Sequence, residues 1–202
     1  MRRVLILALL AMALPMAAWA DGITLVNEFG GISLSNSGIT TTGSELKQFN
    51  SIVAPPGRSL GSVSYSTGAL LTGSLLAGGT FSATGSSFLV VGVGKYGEPK
   101  GTIFSGAFTG PIDWTLTSPP GDKSRTYTLS GTITGMLYTG RIVSGTTSQN
   151  IFTSNGQLAQ GIGHIRMGTT NLTVPEPGTL GLLGTGLVGI AGMFRRKLIG
   201  NN

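Results

Sequence analysis

The sequence predicts an all-β protein, an antiparallel sandwich or barrel-like body, with a targeting segment at each end of the chain. Between residues 21 and 174, Gly, Ser and Thr make up 70 of 154 residues, and apolar residues recur at every second position. Such alternation is typical of strands with one buried face. Because the strands are short and the turns rich in glycine, a sandwich or barrel is favoured over a helical fold.

Disorder is the alternative for so biased a composition. Disordered segments usually combine low hydrophobicity with high net charge. Residues 21–174 carry eight basic and six acidic side chains, a formal charge of only +2. Together with the two-residue periodicity, this favours a folded domain over residues 21–173.

The first 20 residues have the three parts of a secretory signal peptide. Arg2 and Arg3 form a basic start, Val4 to Leu14 an apolar core, and Ala18-Trp19-Ala20 a small-x-small cleavage site. We expect cleavage after Ala20, so that the mature chain begins at Asp21. An uncleaved anchor is the alternative, but the apolar core is too short to span a bilayer comfortably.

The clearest strands form a predicted hairpin. From Phe104 to Leu116 most apolar residues and glycines share one parity, and they do so again from Tyr127 to Leu137, where Met136 stands on the other parity with the threonines. Residues 118–123 form a turn cluster between them. Pro111 cannot donate a ladder hydrogen bond, so we expect a bulge or an edge position there. The Ser-Gly-x-x-Thr-Gly pattern, which occurs in both strands, is interpreted as shared composition rather than as a repeat.

Other segments give weaker predictions. Further strands are expected at Ile23 to Val26, Ile32 to Leu34, Phe88 to Val93, Arg141 to Ser144 and Gly161 to Met167. The best places for a short turn of helix are Ser44 to Phe49 and Ala69 to Ala77, the second being equally compatible with an apolar strand.

The C-terminal segment has three consecutive parts. Val174-Pro175-Glu176-Pro177 precedes an uncharged stretch of 17 residues, Gly178 to Phe194, which Arg195-Arg196-Lys197 closes. As a helix the stretch would be about 25 Å long, the short end of a membrane span. The basic cluster would stay in the cytoplasm by the positive-inside tendency, so the body would lie across the membrane. The two prolines make residues 174–177 an extended strip outside the bilayer, and residues 199–202 are a tail.

This order of motif, apolar span and basic stop, at residues 174–198, resembles the PEP-CTERM sorting signal of Gram-negative bacteria. The resemblance implies that an exosortase, a membrane-embedded processing enzyme, recognises Pro175-Glu176-Pro177, cleaves nearby and passes the protein to the cell surface or matrix. It also implies an association with exopolysaccharide and biofilm material. The implied location is the inner membrane before processing, and the cell surface or extracellular matrix afterwards. The body's activity is not part of this implication.

The body offers little chemistry. Gly92-Val93-Gly94-Lys95-Tyr96-Gly97 matches a dinucleotide-binding pattern, but Glu98-Pro99 prevents the helix that this pattern requires, so a loop between strands is expected and no cofactor. The single histidine, His164, excludes a multi-histidine metal site and is interpreted as solvated. Glu98 and Asp122 are interpreted as solvated loop charges.

Aromatic residues and net charge narrow the ligand classes. Trp114 shares the parity of Phe104 and Phe108 and is expected in the core, whereas Tyr138 lies on the Thr-rich face, with Tyr65 and Tyr96 in loop-like surroundings. The calculated pI of about 10.1 comes largely from the targeting segments, so nucleic-acid binding is disfavoured. No cysteine is present, which excludes disulfides and thiolate metal sites.

Two functions remain. The preferred one is a non-catalytic, exported surface or matrix protein, without a metal or cofactor. The alternative is a surface carbohydrate-binding module or a glycoside-active enzyme, for which a carboxylate pair about 5 to 10 Å apart or exposed coplanar aromatics would be the sign.

Overall fold

The computed structural model describes residues 22–118 and 124–174. The described chain is almost entirely β-structure, with one short helix, α1 (Asn155–Ala159). The strands are β1 (Gly22–Glu28), β2 (Gly31–Ser35), β3 (Gly38–Thr42), β4 (Ser44–Phe49), β5 (Ile52–Val53), β6 (Gly61–Ser66), β7 (Leu70–Ser74), β8 (Gly78–Phe81), β9 (Ser87–Gly92), β10 (Gly101–Phe108), β11 (Ile112–Leu116), β12 (Ser124–Leu137), β13 (Ile142–Ser154) and β14 (Ile162–Thr173).

Eight of these strands close into an antiparallel barrel. The ring runs β1, β4, β6, β9, β10, β12, β13, β14 and back to β1, each strand hydrogen-bonded to the next. The first and last described strands complete it, since Gly22 pairs with Thr173. The expected all-β body is therefore confirmed, and of its two expected forms the structure has the barrel. Closure leaves the ring without an exposed edge.

Five of the six remaining strands extend the barrel walls at one end, whereas β5 pairs with β4 at the other. Each of these five strands is next in the chain to a ring strand, either directly before it or directly after it: β2 to β1, β3 to β4, β7 to β6, β8 to β9 and β11 to β10. Each is also hydrogen-bonded to a neighbouring strand beside it. Consecutive long strands alternate in direction, so the connections fall into two groups. We call the end with Gly22, Val174 and the loops 50–60, 93–100 and 138–141 the termini end. The opposite end, with the turns 36–37, 75–77 and 155–161, is the far end.

The core is the barrel interior, and it follows the predicted two-residue alternation. On β10 and β11 the large predicted inward side chains Phe104, Phe108, Ile112 and Trp114 are buried, and Leu116 is half-buried. Tyr127, Leu129, Ile133 and Leu137 are buried on the facing strand. The predicted hairpin strands are thus confirmed in register, with Phe104 opposite Leu137 and Trp114 opposite Leu129. Its tip falls at residues 119–123, outside the described residues.

Pro111 lies at a bulge, as expected. Residues 109–112 stand opposite only residues 131 and 132 of β12, because Phe108 pairs with Ile133 and Asp113 with Ser130. The extra residues bend β10 into β11 without breaking contact with β12.

Two glycines bring the neighbouring strands into close approach around one aromatic ring. Gly106 pairs with Gly135 across β10 and β12. A Cβ at either glycine would come within 2.8 Å of the Phe104 ring. The recurring Ser-Gly-x-x-Thr-Gly residues are therefore neighbours in one sheet, where the absent side chains make room for Phe104.

Two segments differ from the prediction. Residues 44–49 are strand β4, not helix, because they pair with β1 on one side and β6 on the other. Residues 70–74 are strand β7, which was the stated alternative for that segment. The described helix, α1, was not predicted. It begins with a capping box in which Ser154 and Gln157 exchange side-chain-to-backbone hydrogen bonds.

The other predicted strands are present but longer or shifted. β13 extends from Ile142 to Ser154 and β14 from Ile162 to Thr173, well past the predicted ends. Within the described ranges, no helix is both long and apolar enough to cross a membrane. The predicted signal peptide and the predicted span 178–194 lie outside these ranges.

Candidate functional site

The sorting segment begins where the folded wall ends. Thr173 is the last residue of β14 and pairs with Gly22 on one side and Ser144 on the other. Val174 follows with a side chain only 6% exposed. Of the predicted site residues only Val174 is described, and it belongs to the barrel. The others lie outside the described residues, namely Pro175, Glu176, Pro177, Arg195, Arg196, Lys197, Ala18 and Ala20.

The two chain ends emerge side by side. Because Gly22 and Thr173 are ladder partners, the predicted cleavage site after Ala20 and the motif beginning at Val174 each attach within two residues of the same barrel position. Both predicted targeting segments are therefore attached to the barrel at the termini end, a placement that the sequence did not indicate.

The loop with the glycine pattern is held from inside by Glu98. Its carboxylate accepts hydrogen bonds from the backbone N–H groups of Lys95 and Tyr96, both at 2.9 Å, and the residue is only 4% exposed. The interpretation of Glu98 as a solvated charge is therefore wrong. The expectation of a loop between strands is confirmed, since residues 93–100 connect β9 and β10.

Acidification should loosen this loop. Removal from water raises the pKa of the Glu98 carboxyl. Hydrogen bonds from backbone N–H groups, first that of Lys95, lower this pKa by more, so that it lies below the ordinary 4.5. Because the pKa of Glu98 is lower in the folded than in the unfolded state, its ionised carboxylate stabilises the folded loop at every pH above the unfolded-state pKa. That stabilisation is lost as the pH falls through the folded-state pKa. In an NMR titration we expect the amide resonances of Lys95 and Tyr96 to move with a midpoint below 4.5. The Glu98→Gln variant should lack this transition, and a midpoint above the ordinary value would contradict the assignment.

Of the four aromatic residues considered from the sequence, Trp114 and Tyr65 are interior, whereas Tyr138 and Tyr96 are exposed. Trp114 is 1% exposed, its ring stacks on Tyr127 with centroids 4.3 Å apart, and its Nε1 donates to the carbonyl of Leu75 at 3.0 Å. The core interpretation of Trp114 is confirmed. Tyr138 is 53% exposed, as expected, and contacts Phe49 edge-on across the termini end. His164 is also exposed, on the polar face of β14.

Tyr65, expected in loop-like surroundings, is in fact a core residue. It lies on β6, its ring stacks on Phe88, and its hydroxyl has no hydrogen-bond partner among the described residues. Burial raises the pKa of Tyr65 far above its ordinary value. A buried hydroxyl without a partner is a net cost, since it has lost its bonds to water.

We therefore expect Tyr65→Phe to raise the free energy of unfolding by about 1 kcal/mol. Tyr127→Phe is the matched control, because the Tyr127 hydroxyl does donate, to the carbonyl of Leu76 at 2.8 Å. That variant should lose about 1 kcal/mol. Urea denaturation of both variants gives the two values, and a destabilised Tyr65→Phe would refute the cost assigned to its hydroxyl.

A polar network inside the barrel was missed by the sequence interpretation. The side-chain amides of Asn27 and Gln149 bind each other in both directions, at 2.9 and 3.2 Å. Asn27 also donates to Ser44, and Gln149 to Thr147, which is bonded to Thr170. All five residues are at most 2% exposed. The available signal was that these polar residues stand on the buried parity of their strands. Since every amide is engaged within the network, it has the character of a structural element.

A shallow groove crosses the outside of β11 to β14. It is lined by Asp113, Ser130, Thr132, Thr146, Ser148 and Asn171. Hydroxyls, one amide and one carboxylate can hydrogen-bond a polar ligand, but no aromatic ring lines the groove. Among the described residues, no three His, Cys, Asp or Glu side chains group as metal ligands would.

Comparison with known families bears on the C-terminal segment. Residues 173–197 match the PEP-CTERM protein-sorting motif. The resemblance at residues 174–198 is thereby confirmed. This motif indicates exosortase-dependent sorting of an exported surface protein, with a membrane-anchored sorting signal. No curated protein matches the chain, and no solved structure does.

Proposed function

We propose that this chain is a non-catalytic surface or matrix protein of a Gram-negative bacterium, which an exosortase processes at Pro175-Glu176-Pro177. One observation carries the proposal. The matched motif begins at the last residue of the barrel wall, so the recognition residues follow a closed domain with no intervening linker. A processing enzyme would then receive the motif from a rigid body and release that body intact.

The barrel itself supports a passive role. Large apolar side chains fill its interior, and the buried amides of Asn27 and Gln149 satisfy each other. The carboxylate of Glu98 is engaged by its own loop. Association with exopolysaccharide is part of the proposal, and the exposed Ser and Thr residues of the outer groove are the surface that would make this contact.

The proposal is tested in the native host. Replacing Pro175 and Pro177 by alanine should leave the protein in the membrane fraction with an unprocessed C-terminus, as judged by mass spectrometry. Pro55→Ala with Pro56→Ala, two exposed prolines of the loop 50–60, is the matched control and should leave release unchanged. Equal release of the two double variants would refute exosortase recognition.

A carbohydrate-binding or glycoside-active domain is the second candidate, favoured by the same groove. Incubation of the purified protein with host exopolysaccharide separates the cases. We expect the polysaccharide to keep its length, and shortened chains would show a hydrolase. Binding that Asp113→Ala abolishes would establish the groove as a lectin site.

A further inference from the structure

The termini end of the barrel concentrates unpaired positive charge. Arg58, Lys95, Lys100 and Arg141 lie in its three loops, and all four are exposed. The described residues contain one salt bridge, between Lys47 and Glu45, so none of the four has a carboxylate partner there. The one acidic residue of these loops, Glu98, is turned inward onto backbone N–H groups.

The three loops form one surface. Gly97 lies beside Ile52, since a Cβ on this glycine would stand 3.5 Å from the isoleucine side chain. Arg58 and Lys95 line the same depression between the loops 50–60 and 93–100, together with Glu45 of β4, whose carboxylate is paired with Lys47. The ring of Tyr138, from the third loop, meets Phe49 with centroids 6.5 Å apart.

Exposed apolar and aromatic side chains accompany the charges. Val53 is 64% exposed, Ile142 66% and Tyr138 53%, and Tyr96 is also exposed. Basic residues interleaved with tyrosines and exposed aliphatic side chains suit a membrane interface, where apolar groups enter the headgroup layer beside anionic phosphates. The far-end turns 36–37, 75–77 and 155–161 contain no Lys, Arg, Asp or Glu.

Chain connectivity brings this surface to the bilayer. Val174 leaves the barrel at the termini end, and only residues 175–177 separate it from the apolar stretch that begins at Gly178. Three extended residues reach about 10 Å, roughly one Debye length at physiological salt. Anionic headgroups around an inserted span would therefore lie within electrostatic range of the four cations.

We propose that the termini end docks onto anionic phospholipid headgroups before the sorting signal is processed. The proposal rests on the proposed function, in that it assumes a membrane-inserted sorting segment. Docking would hold residues 175–177 at the bilayer surface, where a membrane-embedded enzyme can reach them. Once the signal is removed, the four cations alone would bind the headgroups weakly, and screening by salt would favour release.

The test uses the full chain reconstituted in vesicles and exploits the absence of native cysteine. A fluorophore is placed at Thr139→Cys, on the termini end, or at Ser37→Cys, on the far end, and the vesicles contain a lipid with a nitroxide headgroup as quencher. We expect strong quenching at position 139 in phosphatidylglycerol-containing vesicles. Quenching there should be weaker in pure phosphatidylcholine or at high salt, and low at position 37 throughout.

Charge variants then identify the residues responsible. Each basic side chain near an anionic surface strengthens binding roughly fivefold. Lys95→Gln with Arg141→Gln should therefore lower the ratio of docked to undocked protein about 25-fold. Arg125→Gln with Arg166→Gln, which removes the same charge away from the termini end, should leave the ratio unchanged.

Three outcomes overturn the inference. If quenching at position 139 is the same with and without anionic lipid, docking is refuted. If the same protein still floats with neutral vesicles, the membrane anchor is unaffected by this result. Failure to float with neutral vesicles refutes the inserted segment, and with it the proposed function. If soluble alginate displaces position 139 from anionic vesicles while the Lys95/Arg141 variant no longer binds alginate, the surface is a polysaccharide site instead.

Discussion

Trp114→Ala is expected to lower the free energy of unfolding by about 3–5 kcal/mol, the usual range for a fully buried tryptophan. The loss has three sources. The barrel interior cannot collapse into the space, the 4.3 Å stack on Tyr127 disappears, and the Leu75 carbonyl loses its indole donor. That carbonyl lies in the turn 75–77, so the substitution also removes one tie between this turn and β11, although the backbone ladder between β8 and β11 remains.

Urea or thermal denaturation of the purified protein measures this loss. Tyr138→Ala is the control, an aromatic of similar size that is 53% exposed and should cost less than about 1 kcal/mol. Comparable losses for the two variants, or a loss below about 1 kcal/mol for Trp114→Ala, would mean that the ring does not support the far end.

Asn27→Leu should be nearly as damaging, at about 2–3 kcal/mol, although leucine has a similar volume. The substitution removes Asn27 Nδ2, which donates to Gln149 Oε1 at 2.9 Å and to Ser44 Oγ at 2.8 Å. Both acceptors lie inside the barrel and lose that hydrogen bond. Gly168 lies against both amides, and a Cβ there would overlap Asn27 and Gln149, so the network is closely packed on that side.

Replacing both amides should cost less than the sum of the single changes. In Asn27→Leu with Gln149→Met, the amide atoms that would be left unpaired are gone, so a coupling of about 0.5–3 kcal/mol is expected between the two sites. A double-mutant cycle measures it. Asn171→Ala, which removes an exposed hydrogen bond to Thr24, serves as the surface control and should be near neutral. Strict additivity would show that the two amides do not depend on each other.

Prediction from sequence succeeded where the signal was local. Two-residue alternation identified the buried faces of β10 to β12, and Pro111 identified the bulge, because side-chain direction and ladder donors depend on neighbouring residues only. It failed at residues 44–49, whose Leu46 and Phe49 have a spacing that also suits a helix. Pairing with β1 and β6 made them a strand.

Side-chain roles that depend on distant partners were also missed. Glu98 is indistinguishable in sequence from a solvated loop acid, yet its loop folds back so that two backbone N–H groups bind it. Tyr65 has loop-like surroundings in the sequence, whereas β6 runs between β4 and β9 and turns the ring inward.

The sequence by itself determined the class of the body and the sorting signal at residues 173–197, because alternation and the order of motif, span and basic stop are encoded in consecutive residues. Only the tertiary structure decided that the strands close into a barrel, that both chain ends leave it together, and that four cations share that end. Each depends on pairing between residues far apart in the chain, such as Gly22 with Thr173. Thr- and Gly-rich strands specify such register weakly until the whole interior packs.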